Sequence, residues 1–300
     1  MLLVIWGHLM PDNRCFFIAT SPFKIPLFFA ITGIILNYQK TIKKFYCDLF
    51  FKLIVPWLTL SLLPVFVISF SKDIHFFIDS LIKILTGENF WYLPACIIAN
   101  SVFYHICQFK NLRKITIGAL VICSIGFLLA YNSIGNLFML NRALIAQLYI
   151  YIGFIFKELI LSKEHKSLKI NAGLILAYLI LLFICFYFYP DKNIDVHLNK
   201  YYNIPVNLLM IFTGCFTILM TARNFNISFK WLSFIGQNTL VFYIWHWYSI
   251  LVSKALINYF IPNQAPVLLC FISSILILSF CSIIINRYFP YLAGKSHKTR

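Results

Sequence analysis

Nine stretches of this 300-residue chain are long and apolar enough to cross a lipid bilayer. That feature constrains the fold more than any other. The stretches lie at about residues 16–38, 53–71, 91–108, 115–131, 143–161, 170–189, 205–222, 233–252 and 266–287. A hydrocarbon core roughly 30 Å thick takes about 20 consecutive apolar residues in a helix. Composition agrees: 61% of residues are hydrophobic and 11% charged, with a mean hydropathy of +0.84, against about 45–50% and about 25% in soluble domains. The expectation is an all-α polytopic membrane protein. Turn-forming residues end several stretches, at Pro11-Asp12-Asn13, Pro190-Asp191-Lys192-Asn193 and Pro262-Asn263-Gln264. There is no internal repeat, heptad run or long linker. One transmembrane domain over residues 1–290 is expected, followed by a basic cytoplasmic tail at 291–300.

Residues 1–10, "MLLVIWGHLM", form a tenth, partial segment. Ten helical residues reach about 15 Å, half the core. They lack the charged start and small-residue cleavage site of a signal peptide. The segment reads as the outer half of a truncated first helix, with roughly ten or more residues expected before it. The count is then about ten transmembrane helices.

The net charge of +16 follows from topology. With the N-terminus in the cytoplasm and ten alternating helices, 17 of the 25 Lys and Arg residues fall inside and eight outside. Cytoplasmic loops collect such residues, so both termini are placed in the cytoplasm and no nucleic-acid partner is needed. The nine cysteines form no CxxC pair and lie mostly in apolar runs. They read as small hydrophobes, with neither a disulfide framework nor a metal site.

Polar residues inside apolar segments are costly and usually line a cavity or pair with one another. His8 stands in "WGHLM", where Gly7 lets a neighbour approach closely. It is either a catalytic base or a structural histidine satisfied by another helix. Lys24 precedes a run carrying Thr32 and Gly33; snorkelling and helix packing account for these. Lys52, with Lys40, Lys43 and Lys44 near it, reads as topogenic charge or as a basic mouth for a phosphorylated ligand. Trp91 and Tyr92 suit an aromatic belt or stacking on a sugar face. In "GQNTLVFYIWHWYSI", Gln237, Asn238 and Thr239 open a helix that carries Tyr243 and His246. Asn238 and His246, eight apart, share a face with Phe242 between them.

These segments, in their order, resemble the membrane-bound acyltransferase family 3, in its branch similar to fucose 4-O-acetylases. "VIWGHLM" resembles that family's first-helix element, and "FKIPLFFAITGIIL", "KLIVPW", "FWYLPACII", "IYIGFIFKE" and "WLSFIGQNTLVFYIWH" resemble five later ones. Lys24 stands where the branch often has His, and Lys52 where Arg is common. The resemblance implies ten helices and O-acyl transfer from acyl-CoA, usually acetyl-CoA. The acceptor would be a sugar hydroxyl of a cell-surface or secreted polysaccharide. It implies His8 as the catalytic residue, the general base of a direct transfer. Lys24, Trp91, Tyr92, Asn238, Tyr243 and His246 would serve the substrate, Asn238, Gln237 or Tyr243 the oxyanion, and Lys43, Lys44 and Lys52 the CoA phosphates. Acetyl-CoA would be a co-substrate, with no bound cofactor and no metal. The partners would be the bilayer and a glycan or lipid-linked sugar acceptor, and the location a cell (inner or plasma) membrane. Two other readings remain: a transporter of a lipid-linked sugar, and a non-catalytic membrane component of glycan assembly.

Overall fold

The computed structural model describes residues 1–70, 72–162, 168–189, 192, 194–224, 229–261 and 266–295. In chain order the helices are α1 (Leu2–Leu9), α2 (Arg14–Lys24), α3 (Pro26–Ile35), α4 (Ile42–Leu49), α5 (Val55–Ser69), α6 (Ile74–Leu85), α7 (Tyr92–Cys107), α8 (Leu112–Tyr131), α9 (Leu140–Ile155), α10 (Lys157–Leu161), α11 (Leu168–Phe188), α12 (Ile204–Asn224), α13 (Lys230–Gln237), α14 (Thr239–Phe260) and α15 (Val267–Tyr288). Among the described residues the only β pairing is an isolated bridge between Asp195 and Lys200. The expected turns at 190–193 (Lys192 apart) and 262–264, and the tail beyond Lys295, lie outside the described residues.

Among the described residues, eight segments have the length and composition to cross a membrane: Arg14–Ile35, Ile42–Ser69, Leu112–Tyr131, Leu137–Ile155, Leu168–Phe188, Ile204–Asn224, Thr239–Phe260 and Val267–Tyr288. They overlap eight of the nine apolar stretches read from the sequence. The ninth is α7, whose 16 residues rise about 24 Å, less than a core of roughly 30 Å. The partial tenth is α1, with eight residues.

The chain divides into two compact units. One comprises Arg14–Lys40 and Pro94–Ile227. There α3 and α9 pack at backbone distance. A Cβ on Gly33 would overlap the Ile150 carbonyl, and one on Gly153 would overlap the Ala30 carbonyl. Such small residues let helices approach where lipid offers no hydrophobic drive to association. Gly126 does the same for α8, where a Cβ would lie 2.7 Å from the Ile145 amide. Polar groups close on one another: the Tyr38 hydroxyl donates to Asn100 Oδ1 at 2.8 Å, and the Tyr104 hydroxyl donates to the Lys40 carbonyl at 2.9 Å.

The other unit comprises Met1–Asn13, Thr41–Leu93 and Ser228–Arg300. Prolines shape it. Pro56 has no N–H for the Lys52 carbonyl four residues earlier, and the chain takes a π turn there, Phe50–Ile54. Gly294, left-handed at φ 70°, sits on that carbonyl, so its place admits no side chain. Pro64, inside α5, likewise withholds a donor from Leu60. Here the indole of Trp245 on α14 supplies it, donating to the Leu60 carbonyl at 2.8 Å. In hydrocarbon, an unsatisfied backbone group costs several kcal/mol, so this bond fixes α14 against α5.

The sequence reading ran a single helix over 233–252. The structure breaks it at Asn238, between α13 and α14. The Asn238 side chain competes with the helix: its amide donates to the Phe234 carbonyl at 2.8 Å. Its oxygen accepts from Asn286 Nδ2 at 2.6 Å and from the Lys295 ammonium at 2.9 Å. Partial burial pulls the Lys295 ammonium below the ordinary lysine range. Helix α6 was not anticipated. It is short and amphipathic, capped by Asp73, which accepts from the Phe76 amide at 2.9 Å. Ile74, Ile78, Ile82 and Leu85 are exposed on it, a stripe suited to lying in the membrane interface. Of the cysteines, Cys96, Cys123, Cys185, Cys215 and Cys270 are buried, while Cys15 and Cys47 are exposed.

Gly153→Leu forces the α3–α9 contact apart and costs at least about 1–3 kcal/mol, read as a lowered Tm in detergent. Gly173→Leu, where a Cβ meets nothing within 4 Å, leaves the Tm within experimental scatter. Asn238→Leu strands the Asn286 and Lys295 donors and costs about 1–3 kcal/mol. In that background, Lys295→Met adds less destabilisation than it produces alone, because the two residues share one interaction.

Candidate functional site

The second unit described above holds most of the polar residues singled out in the sequence. His246 lies on α14 one residue after Trp245, the residue bonded to α5, and is buried at 8% exposure. Its Nδ1 meets the Tyr243 carbonyl at 2.5 Å. A carbonyl only accepts, so Nδ1 carries the proton and, in the neutral ring, Nε2 is left as an acceptor. His8 sits in the last turn of α1 and is exposed. Its ring centre lies 4.9 Å from that of His246, with the planes tilted by 34°. Trp247 stands edge-on to His8 at 5.6 Å. Residues Ile5 and Leu9 of α1 share a buried cluster with Phe242 and Ile250 of α14 and with Cys270 and Leu278 of α15. This packing holds α1 where His8 meets His246.

Aromatic rings continue the array. Tyr243 is 6.0 Å from His246 and 5.5 Å from Tyr92, measured between ring centres. The Tyr92 backbone amide donates to the Tyr243 hydroxyl oxygen at 3.2 Å. Trp91 stands perpendicular to Tyr92 at 6.3 Å. Phe90 reaches Tyr243 from a left-handed conformation, φ 59°, which costs a bulky residue about 1–2 kcal/mol. Pro94 cannot donate to the Phe90 carbonyl; the Leu93 amide does so instead, at 3.0 Å. Trp91, Tyr92, Tyr243, His246 and His8 therefore form one continuous line of side chains, with Trp247 at its end.

The other expected site residues fall elsewhere. Asn238 is eight residues before His246 on the same face, about 12 Å along the axis, and its amide and oxygen are committed to Phe234, Asn286 and Lys295. Gln237 Nε2 lies 3.5 Å from Ser233 Oγ, within α13. Lys43 and Lys44 are exposed on α4. Lys52 is exposed on the π turn, 3.1 Å from Asp48. Lys24 belongs to the unit built on α3 and α9, where its ammonium lies 4.9 Å above the Phe17 ring. The sequence reading missed Trp247, Trp245 and Phe90. The first two were open to detection as large aromatics flanking an intramembrane histidine. The third was not, since a backbone angle leaves no trace in residue type.

The arrangement suits proton transfer. An exposed imidazole stands beside a second whose tautomer is fixed, and a line of aromatic rings extends from one side.

A family model described as an acyltransferase domain matches residues 1–286. No curated protein and no solved structure matches the chain. With nearly its whole length covered by that model, the chain belongs to the membrane-bound acyltransferase family 3.

Proposed function

We propose that the protein transfers an acetyl (acyl) group from acyl-CoA to a hydroxyl of a cell-surface or secreted polysaccharide sugar, with His8 as general base. The observation that carries this reading is the exposed His8 imidazole at the end of the Trp91–Tyr92–Tyr243–His246 line. The sugar hydroxyl gives its proton to a neutral His8 nitrogen as its oxygen attacks the thioester carbonyl. The tetrahedral oxyanion collapses, the C–S bond breaks, and the thiolate takes the proton back from His8 to leave as CoA thiol. Tyr243 supports the oxyanion: its oxygen accepts from Tyr92, and its own O–H is a donor. Asn238, about 12 Å away along α14, anchors the helix start instead. Trp91 and Tyr92 offer ring faces to the sugar. Lys43, Lys44 and Lys52 face the CoA phosphates as point charges.

This reading carries the topology with it. Ten helices, α1 and α7 included, put both termini in the cytoplasm of a cell (inner or plasma) membrane. Residues 1–290 form the catalytic domain and 291–300 a basic tail.

The test is surface-glycan mass spectrometry and acetyl-CoA turnover in a strain carrying His8→Ala. Glycans lose their acetyl units, and transfer falls about 10²–10⁴-fold with normal amounts of protein in the membrane. In the wild type, activity is lost on acidification, as a base that must be neutral requires. Full glycan acetylation by the alanine variant would remove His8 from the mechanism.

A further inference from the structure

We infer that His246 is a positioning residue for His8: its Nε2 accepts a hydrogen bond from the His8 nitrogen that does not face the acceptor hydroxyl. This deepens the function proposed above and rests on it. Three observations carry it. The Nδ1–H of His246 donates to the Tyr243 carbonyl, so the neutral ring presents a bare Nε2. The two ring centres are 4.9 Å apart with a 34° tilt; rings joined by one N–H···N bond of about 2.9 Å have centres about 5 Å apart. His246 is 8% exposed while His8 is exposed, so the buried ring is held and the outer one meets the substrate.

The consequence is a division of labour. A lone exposed imidazole exchanges its two neutral tautomers, and only one has its lone pair toward the hydroxyl. Acceptance by His246 Nε2 selects that tautomer. When His8 takes the hydroxyl proton it becomes an imidazolium, and the hydrogen bond to His246 strengthens. His246 keeps its own proton on Nδ1, donated to the Tyr243 carbonyl, and stays neutral, since two adjacent imidazolium rings repel. The pair thus carries one positive charge at most, and its titration belongs to both rings. The charged and titratable groups that face His246 are the His8 imidazole, the chain's amino group and the Tyr243 phenol.

Two measurements on the purified full chain in detergent test this. In ¹⁵N-histidine-labelled protein, His246 should be neutral and protonated on Nδ1 while His8 titrates, and in His8→Gln it should take up a proton at higher pH. A His246 protonated on Nε2, or one whose titration ignores His8, overturns the inference without any appeal to activity. The second measurement is thiol release from acetyl-CoA with water as acceptor. His246→Phe should lower kcat about 10- to 100-fold at unchanged KM for acetyl-CoA. It should also move the acid limb of the pH profile to lower pH, because the His8 imidazolium loses its acceptor. His246→Gln, which keeps an acceptor oxygen, should restore part of both effects. A merely structural histidine would leave the acid limb in place and show no rescue by Gln. If His8→Gln abolishes release but His246→Phe is silent, this inference fails and the acyltransferase reading stands. If His8→Gln is itself silent, the general-base reading fails.

Discussion

The carbonyl of Leu60 is the constraint on which the site depends. Pro64 deprives it of its helical donor, and inside a membrane no water replaces one. The indole of Trp245 does. That bond fixes both the rotation and the height of α14 against α5, and the next residue in the chain is His246. Once α14 is set, Tyr243 meets Tyr92, and the Tyr243 carbonyl sets the tautomer of His246. The polar array is thus a consequence of backbone pairing in a solvent where an unsatisfied backbone group costs several kcal/mol.

The same logic recurs at the start of α5. The missing amide of Pro56 coincides with a π turn, and Gly294 packs closely against the Lys52 carbonyl it leaves. Asn238, at the start of α14, gathers Asn286 of α15 and Lys295 beyond it. The C-terminal segment is therefore tied to the unit at least as far as Lys295, through a glycine that fits the backbone and a lysine that fits a polar niche. In the α3–α9 pair, by contrast, the chain relies on absence of side chains: Gly33 and Gly153 let carbonyls and helix backbones touch.

Much of this architecture was legible in the residues. A bilayer imposes length and apolarity on every span, so segments such as 170–189 and 266–287 declared themselves. The polar residues that broke the pattern, His8, Tyr243 and His246, proved to be neighbours. Other features were illegible for physical reasons. Helix α6 is amphipathic and shorter than a span, so a search for long apolar runs passes over it. The break at Asn238 depends on partners from α15 and Lys295, distant in sequence. The contact between His8 and His246 depends on how α1 packs on α14, which no local spacing encodes. Phe90 bends by a backbone angle available, at a cost, to any residue. Lys24 fell in the other unit because the division between units cuts the chain between Asn13 and Arg14.

His8 and His246 are separated by most of the polypeptide, and their unit is assembled from the first, a middle and the last part of the chain. Translation at about 5–20 residues per second delivers His246 some tens of seconds after His8. During that interval α1 has neither α14 nor α15 to pack on, and its histidine stands without the ring that adjoins it in the finished protein. An unfinished chain therefore holds one ring of the His8–His246 pair without the other, and the contact forms only once α14 has been made.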